Sequence, residues 1–212
     1  HYLAKPPRRR SSTAAVDKFI TRSNTLAKRP EACPRLLFAM DATASRQASW
    51  DRACQLQGEM FLSTRELGGL AVQLCHYRGL NTLQASPWLR DESALLSQML
   101  RVRCEGGYTQ IRRLLDHALK EHREQPIKAL VFIGDACEEN PDLLAGKAGE
   151  LGLAGLPLFM FQEGSDAAVK QVFQQMAKLS GGAWAHFDHH SARELRELLG
   201  AAARYAASGR QG

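Results

Sequence analysis

The sequence predicts an α/β domain: a three-layer, doubly wound, Rossmann-like and mostly parallel sheet with helices on both faces. Three observations carry this. Short apolar runs alternate with segments of helical period over residues 35–206, the order of strand-helix-strand units joined by right-handed crossovers. One run, Ala129-Leu130-Val131-Phe132-Ile133, is apolar at every position, as a central parallel strand covered on both faces must be. The series Ile111, Leu114, Leu115, Ala118, Leu119 falls at i, i+3, i+4, i+7 and i+8, the stripe of a helix laid on such a sheet.

The elements follow in order. Residues 1–34 read as a basic arm in which Ser12 or Thr13 caps a short helix with Val16, Phe19 and Ile20 on its face. Leu36–Met40 is the first strand, Asp41-Ala42-Thr43-Ala44-Ser45 a polar loop, and the next stretch puts Trp50, Ala53, Cys54, Met60 and Phe61 on one side of a helix. Leu70–His76 is a strand. Asn81–Leu89 contains Pro87 and is assigned to an edge strand or a loop, because proline has no N–H for a central ladder. Residues 92–102 form a short helix and turn, and the helix carrying the 111–119 stripe ends before Pro126. After Ala129–Ile133 come a helix over Pro141–Leu153, a strand over Leu156–Phe161, and a helix marked by Val169, Val172, Phe173 and Met176 that Gly181-Gly182 stops. A short strand, Ala183–Asp188, precedes a closing helix with the stripe Leu195, Leu198, Leu199, Ala202, and residues 207–212 form a tail.

Composition narrows the function classes. With 212 residues, 44% hydrophobic and 24% charged, the chain has the balance of a single soluble domain, which excludes collagen, coiled coil and wholesale disorder. Its longest apolar runs fall far short of the ~20 residues that span a bilayer. The five cysteines (Cys33, Cys54, Cys75, Cys104, Cys137) are odd in number and form no CxxC pair, which argues against a disulfide framework or zinc knuckle and for a reducing, cytoplasmic setting. Charge is uneven: residues 1–35 hold nine Lys/Arg against Asp17 and Glu31, a surplus of seven on a chain whose total is +6. Such an arm suits nucleic acid or an acidic partner, although no nucleic-acid motif follows it.

In a doubly wound sheet, ligands bind outside the carboxyl ends of the strands. Two of the apolar strands end there in an aspartate, Asp41 and Asp135. Thr109 stands at the start of the helix between them in sequence, and Thr43 and Ser45 follow Asp41 at alternate positions. Two carboxylates and three hydroxyls make an all-oxygen set, which suits Mg²⁺, Mn²⁺ or Ca²⁺ rather than zinc.

With these residues the chain resembles the von Willebrand factor type A (VWA) family, whose metal-ion-dependent adhesion site combines an Asp-x-Ser-x-Ser loop, a distant Thr and a distant Asp. Asp41, Thr43 and Ser45 match the loop, with threonine in place of the first serine. Thr109 matches the threonine, and Asp135 in Gly134-Asp135-Ala136 matches the second aspartate, where the family often has Thr-Asp-Gly. The resemblance covers residues 35–206. It implies that the hydroxyls contact a divalent ion, that the aspartates act largely through water, and that a partner's Glu or Asp completes the shell, with Asp41, Ser45 and Thr109 facing that partner. It also implies movement of the closing helix linked to the site.

Other readings have less support. A haloacid-dehalogenase-type phosphatase needs a second acid where Thr43 stands, and no GxGxxG, Walker lysine or GxSxG motif occurs. His186-Phe187-Asp188-His189-His190 reads as a strand end and helix cap rather than a metal cluster, Cys137 as a half-buried thiol, and Trp88 as a core plug. Asp41 and Asp135 have helix capping as their bland alternative. The expected function is a non-enzymatic, divalent-metal-dependent module that captures an acidic side chain of a protein partner. A metal-free assembly or nucleic-acid-associated scaffold using the basic arm comes second, and a metal-dependent hydrolase third.

Overall fold

The structure, a computed structural model, describes residues 17–18, 33–187 and 192–208. Its contacts divide the chain into two units, His1–Ala32 and Cys33–Gly212. In the first only the helical residues 17 and 18 are described, so the arm's helix face of Val16, Phe19 and Ile20 lies outside the described residues. The second unit carries the sheet.

Its elements are β1 (Arg35–Asp41), a 3₁₀ turn (Ala44–Arg46), α1 (Gln47–Leu56), α2 (Gly58–Thr64), β2 (Ala71–Arg78), β3 (Thr82–Leu89), α3 (Glu92–Met99), α4 (Ile111–Glu124), β4 (Ala129–Gly134), α5 (Pro141–Leu153), β5 (Leu158–Glu163), α6 (Ala167–Ser180), β6 (Ala183–Phe187) and α7 (Ala192–Ser208). The strand order is β3-β2-β1-β4-β5-β6. Every neighbouring pair is parallel except β2 with β3, which is antiparallel. This is the predicted doubly wound sheet. Order reverses around β1, which pairs with β2 on one side and β4 on the other, so the switch point lies beside the end of β1.

Alternation along each strand sorts the core into two layers. Leu36, Phe38, Met40, Val131 and Ile133 point to one face, where Trp50, Met60, Leu95, Leu195 and Leu199 of α1, α2, α3 and α7 cover them. Leu37, Ala39, Leu130, Phe132 and Met160 point to the other, under Ile111, Leu115, Leu144, Phe173 and Met176 of α4, α5 and α6. Each helix lies where its apolar stripe removes most sheet surface from water. β3 is an exposed edge strand and accepts Pro87, as the missing donor predicts. Trp88 packs against the second layer, and the Arg35 guanidinium sits 4.5 Å from its ring centre.

Two details differ from the sequence reading. The helix predicted through Trp50 and Phe61 is two helices, broken at Gln57, whose side chain is buried and donates through Nε2 to the Glu92 carbonyl at 3.2 Å. Leu198 of α7 is half-buried, whereas Leu195 and Leu199 are buried. α7 packs on α2, β1 and β4, and a Cβ at its Gly200 would stand 2.9 Å from Ser63 Oγ of α2.

Candidate functional site

β1 stays buried through its last residue, so Asp41 enters the protein with its strand and is 1% exposed. Its Oδ1 accepts the Thr43 N–H at 2.8 Å, an Asx-type turn that bends the chain away from the sheet. Its Oδ2 is buried and has no hydrogen-bond partner among the described residues. Burial pushes the Asp41 carboxyl above its ordinary range; the Thr43 bonds and the Arg46 charge oppose this, and the Asp135 charge adds to it.

A chain of hydrogen bonds gathers the neighbouring loops. Ala42 N donates to Tyr77 O and Glu105 N to Ala42 O, both at 2.9 Å. Tyr108 N donates to Gly79 O at 3.0 Å. A side chain at Gly107 would collide there, since its Cβ would lie 1.8 Å from that same carbonyl oxygen. Thr109, buried at the end of this loop, accepts the Glu138 N–H on Oγ1 at 3.0 Å. Glu139 receives the Ile111 and Arg112 N–H groups at 2.7 and 2.9 Å, tying the start of α4 to the segment after β4. Asp135 immediately follows β4, with its side chain 35% exposed. Thr43 is half-buried and Ser45 exposed.

All five residues expected from the sequence therefore lie at the carboxyl edge, on the ends of β1 and β4 and the loops beside them. Asp41 and Asp135 are close enough to feel each other's charge, and Thr109 joins the loop after β4. Neither aspartate caps a helix; Asp41 is used by its own loop. Of the five residues in His186–His190, the last three lie outside the described residues, and His186 is exposed. Cys137 is half-buried, and burial raises its thiol.

The sequence reading missed three residues. Arg46, directly after Ser45, is 1% exposed. Its Nη1 lies 2.6 Å from Glu163 Oε2 and 3.5 Å from Asp135 Oδ2, whereas Nε and Nη2 are buried without partners among the described residues. Glu163 ends β5, and Ser49 Oγ donates to it at 2.6 and 2.5 Å from its two oxygens. The signal for Glu163 was present, because it stands at a strand's carboxyl end just as Asp41 and Asp135 do. Tyr77, on β2, is buried, and burial and then the Asp41 charge push its hydroxyl well above its usual range.

A divalent ion is testable against this donor set. Hard oxygens from Asp41, Thr43, Ser45, Thr109 and Asp135 share one edge, and the orphaned Asp41 Oδ2 is a buried acceptor that a hydrated cation would satisfy. The chemistry fits. Among the described residues no group of three or more His, Cys, Asp or Glu forms a metal cage; the expected set holds two carboxylates, so the remaining donors are hydroxyls, water or a partner. A cleft of about 390 Å³ beside it is lined by Leu80, Thr109, Arg112, Arg113 and Glu139 among others. A cleft of about 1090 Å³ runs between α2 and α3 past Phe61, Arg65 and Glu92 and shares no residue with the site.

No protein-family profile matches the chain, and neither does any curated protein. Solved structures do. The SpRpn10 VWA domain superposes with a TM-score of 0.60 at 14% identity, covering 79% of this chain and 94% of that one. An aerotolerance-related membrane protein from Bacteroides fragilis, carrying multiple mutations to serines, gives 0.60 at 15% identity over 81% of this chain and 98% of that one. Proximal thread matrix protein 1 from the mussel byssus, solved with a zinc-occupied MIDAS motif, gives 0.58 at 16% identity over 81% of this chain and 46% of that one. Among the described residues no helix is long and apolar enough to cross a membrane. With its strand order, its two helical layers and these superpositions, the chain has the fold of the von Willebrand factor type A domains.

Proposed function

We propose that this chain is a protein-interaction module that binds, without catalysing a reaction, at the carboxyl edge of its sheet. There Asp41, Thr43, Ser45, Thr109 and Asp135 hold Mg²⁺ or a similar divalent ion and an acidic side chain of a partner completes its shell. One observation carries the reading: a carboxylate 1% exposed, at the switch point of the sheet, keeps one oxygen without a partner among the described residues. A buried acceptor left unsatisfied costs about 1–3 kcal/mol, and a hydrated cation supplies what is missing. Support comes also from the VWA fold and from the neighbour with zinc in its MIDAS motif. Exposed Ser45, and Arg112 on the adjoining cleft, present the ion and a basic rim to an incoming carboxylate.

The test is thermal. An ion at a hundred times its Kd contributes about 2.7 kcal/mol, which for a domain of this size raises Tm by roughly 5–10 °C. Millimolar Mg²⁺ or Mn²⁺ is expected to do so in wild type and to do nothing in Asp41→Asn. That variant relieves a buried charge, so its ion-free Tm is expected to equal or exceed that of wild type, and a lost response is then not a folding defect. An unchanged wild-type melting curve supports the second reading, a metal-free assembly or nucleic-acid-associated scaffold that uses the basic arm, and the buried Arg46 cation favours a site without an ion.

A further inference from the structure

The Arg46 guanidinium lies against the same aspartate that the ion needs. It is 1% exposed, anchored at 2.6 Å on Glu163 and reaching 3.5 Å to Asp135, and its charge also acts on Asp41. A fully buried arginine with two nitrogens unpartnered among the described residues is an expensive arrangement, and Ser49 Oγ fixes Glu163 by donating to both of its oxygens, including the one Arg46 binds. The four charged groups, Asp41, Asp135, Glu163 and Arg46, together carry −2, the charge one divalent ion neutralises. A cation approaching Asp41 and Asp135 nevertheless meets a fixed positive charge in a medium of low dielectric, where repulsion over a few ångströms is far stronger than in water.

From this we propose that Arg46 is the site's resident cation, competing with the divalent ion for Asp135, and that Glu163 sets the outcome by holding the guanidinium back. The inference rests on the metal-binding reading above and adds two residues to it. When the ion binds, Arg46 releases Asp135 and remains on Glu163; when the ion leaves, Arg46 keeps Asp135 neutralised. Arg46 and Glu163 are positioning residues and do not touch the ion. The pair lowers ion affinity and keeps the ion-free site folded, so occupancy depends on a partner's carboxylate arriving with the ion.

Two variants move affinity in opposite directions. Arg46→Met with Glu163→Gln removes one charge of each sign, keeps an acceptor for Ser49 and frees Asp135; Mn²⁺ affinity by isothermal titration is expected to rise at least tenfold. Glu163→Gln alone leaves Arg46 to lean on Asp135, and affinity is expected to fall at least threefold. Equal affinity in all three proteins, or changes of the reverse sign, overturns the inference and leaves metal binding standing. If the double variant binds Mn²⁺ and wild type does not, the inference holds and the metal dependence of the wild-type module is refuted. If neither binds, both fail. Should either variant not fold, ¹⁵N-labelled wild type decides. The Arg46 Nε–Hε resonance is expected to shift on saturation with Mg²⁺, and an unmoved resonance at saturation, or no Mg²⁺ bound at all, overturns the proposal.

Discussion

In the middles of β1, β4 and β5 the buried side chains are Leu37, Phe38, Leu130, Val131, Phe132 and Met160, all apolar. A few residues further on, the same three strands lead into Asp41, Asp135 and Glu163, with Arg46, Ser49 and Thr109 folded in among them. The middles are paired in a parallel ladder that runs out at Met40/Ile133 and Gly134/Gln162, at the threshold of the charged groups. The middles gain stability from burial at about 25 cal/mol per Å². The ends bury charge, which destabilises unless every group is matched, and Asp41 Oδ2, Arg46 Nε and Arg46 Nη2 are not matched. Where a chain departs from the rules that its own core obeys a few residues away, the departure points to a role outside folding.

If that division is real, the largest stability effect belongs to the middles and leaves the ends untouched. Phe132 stacks on Tyr77 at 6.3 Å and meets Phe173 edge-on at 5.6 Å. Phe132→Ala is expected to cost about 3–5 kcal/mol in urea denaturation, while any Mg²⁺-induced rise in Tm survives at temperatures where the variant is folded. Loss of the ion response as well would mean that the two regions are one.

An intermediate effect sharpens the comparison at the end of β2, where the buried ionisable group is a base. His76 is 6% exposed, packs edge-on against Trp50, and has an unpartnered Nδ1. Burial, helped by the Arg78 charge, lowers its pKa to about 4. The unfolded chain takes up this proton near pH 6.5 and the folded chain only near 4, so this contribution to stability is intact above about pH 6.5. It is lost as pH falls to about 4, to a total of roughly 3 kcal/mol. Carboxylates titrate in the same region, and burial of Asp41 works with the opposite sign. The difference between wild type and His76→Gln, measured by denaturant titration from pH 4 to 7, isolates the histidine. A pH-independent difference would show that His76 takes up its proton at the same pH in the folded and the unfolded chain, so that burial does not shift it.

The smallest stability effect is expected at the exposed end of the site. Ser45→Ala removes a solvent-facing hydroxyl and is expected to change stability by less than about 0.5 kcal/mol, yet to weaken Mn²⁺ binding several-fold in titration calorimetry. Unaltered ion binding would remove Ser45 from the ligand set and shrink the site to the buried residues.

The legible parts of this protein were those whose physics is local. The 111–119 stripe and the continuous run 129–133 announce their elements within a dozen residues, and Pro87 marks the sheet's edge by a missing donor. Asp41 and Asp135 were legible because strand ends at a switch point are a positional rule. Glu163 obeys that rule too, but the end of β5 was read as Phe161, two residues short. Arg46 was not legible. An arginine opening a helix reads as a solvated charge, and its burial depends on Glu163, 117 residues away in sequence. The break at Gln57 has the same origin, since the acceptor for its side chain is the Glu92 carbonyl, 35 residues on.

α7 gives the fold a direction in time. It supplies Leu195, Leu199, Ala202, Ala203 and Ala206 to the layer over β1 and β4, and it is the last described element to leave the ribosome. Until it emerges, Leu36, Phe38 and Val131 on a completed sheet lack that cover, whereas the opposite face, closed by α4, α5 and α6, is already complete. The nascent chain thus passes through an intermediate in which that face is covered by α1, α2 and α3 alone, with the apolar surface meant for α7 open to chaperones or to other chains. A premature stop after β6 freezes that intermediate, a liability of connectivity that single-residue substitutions do not reveal.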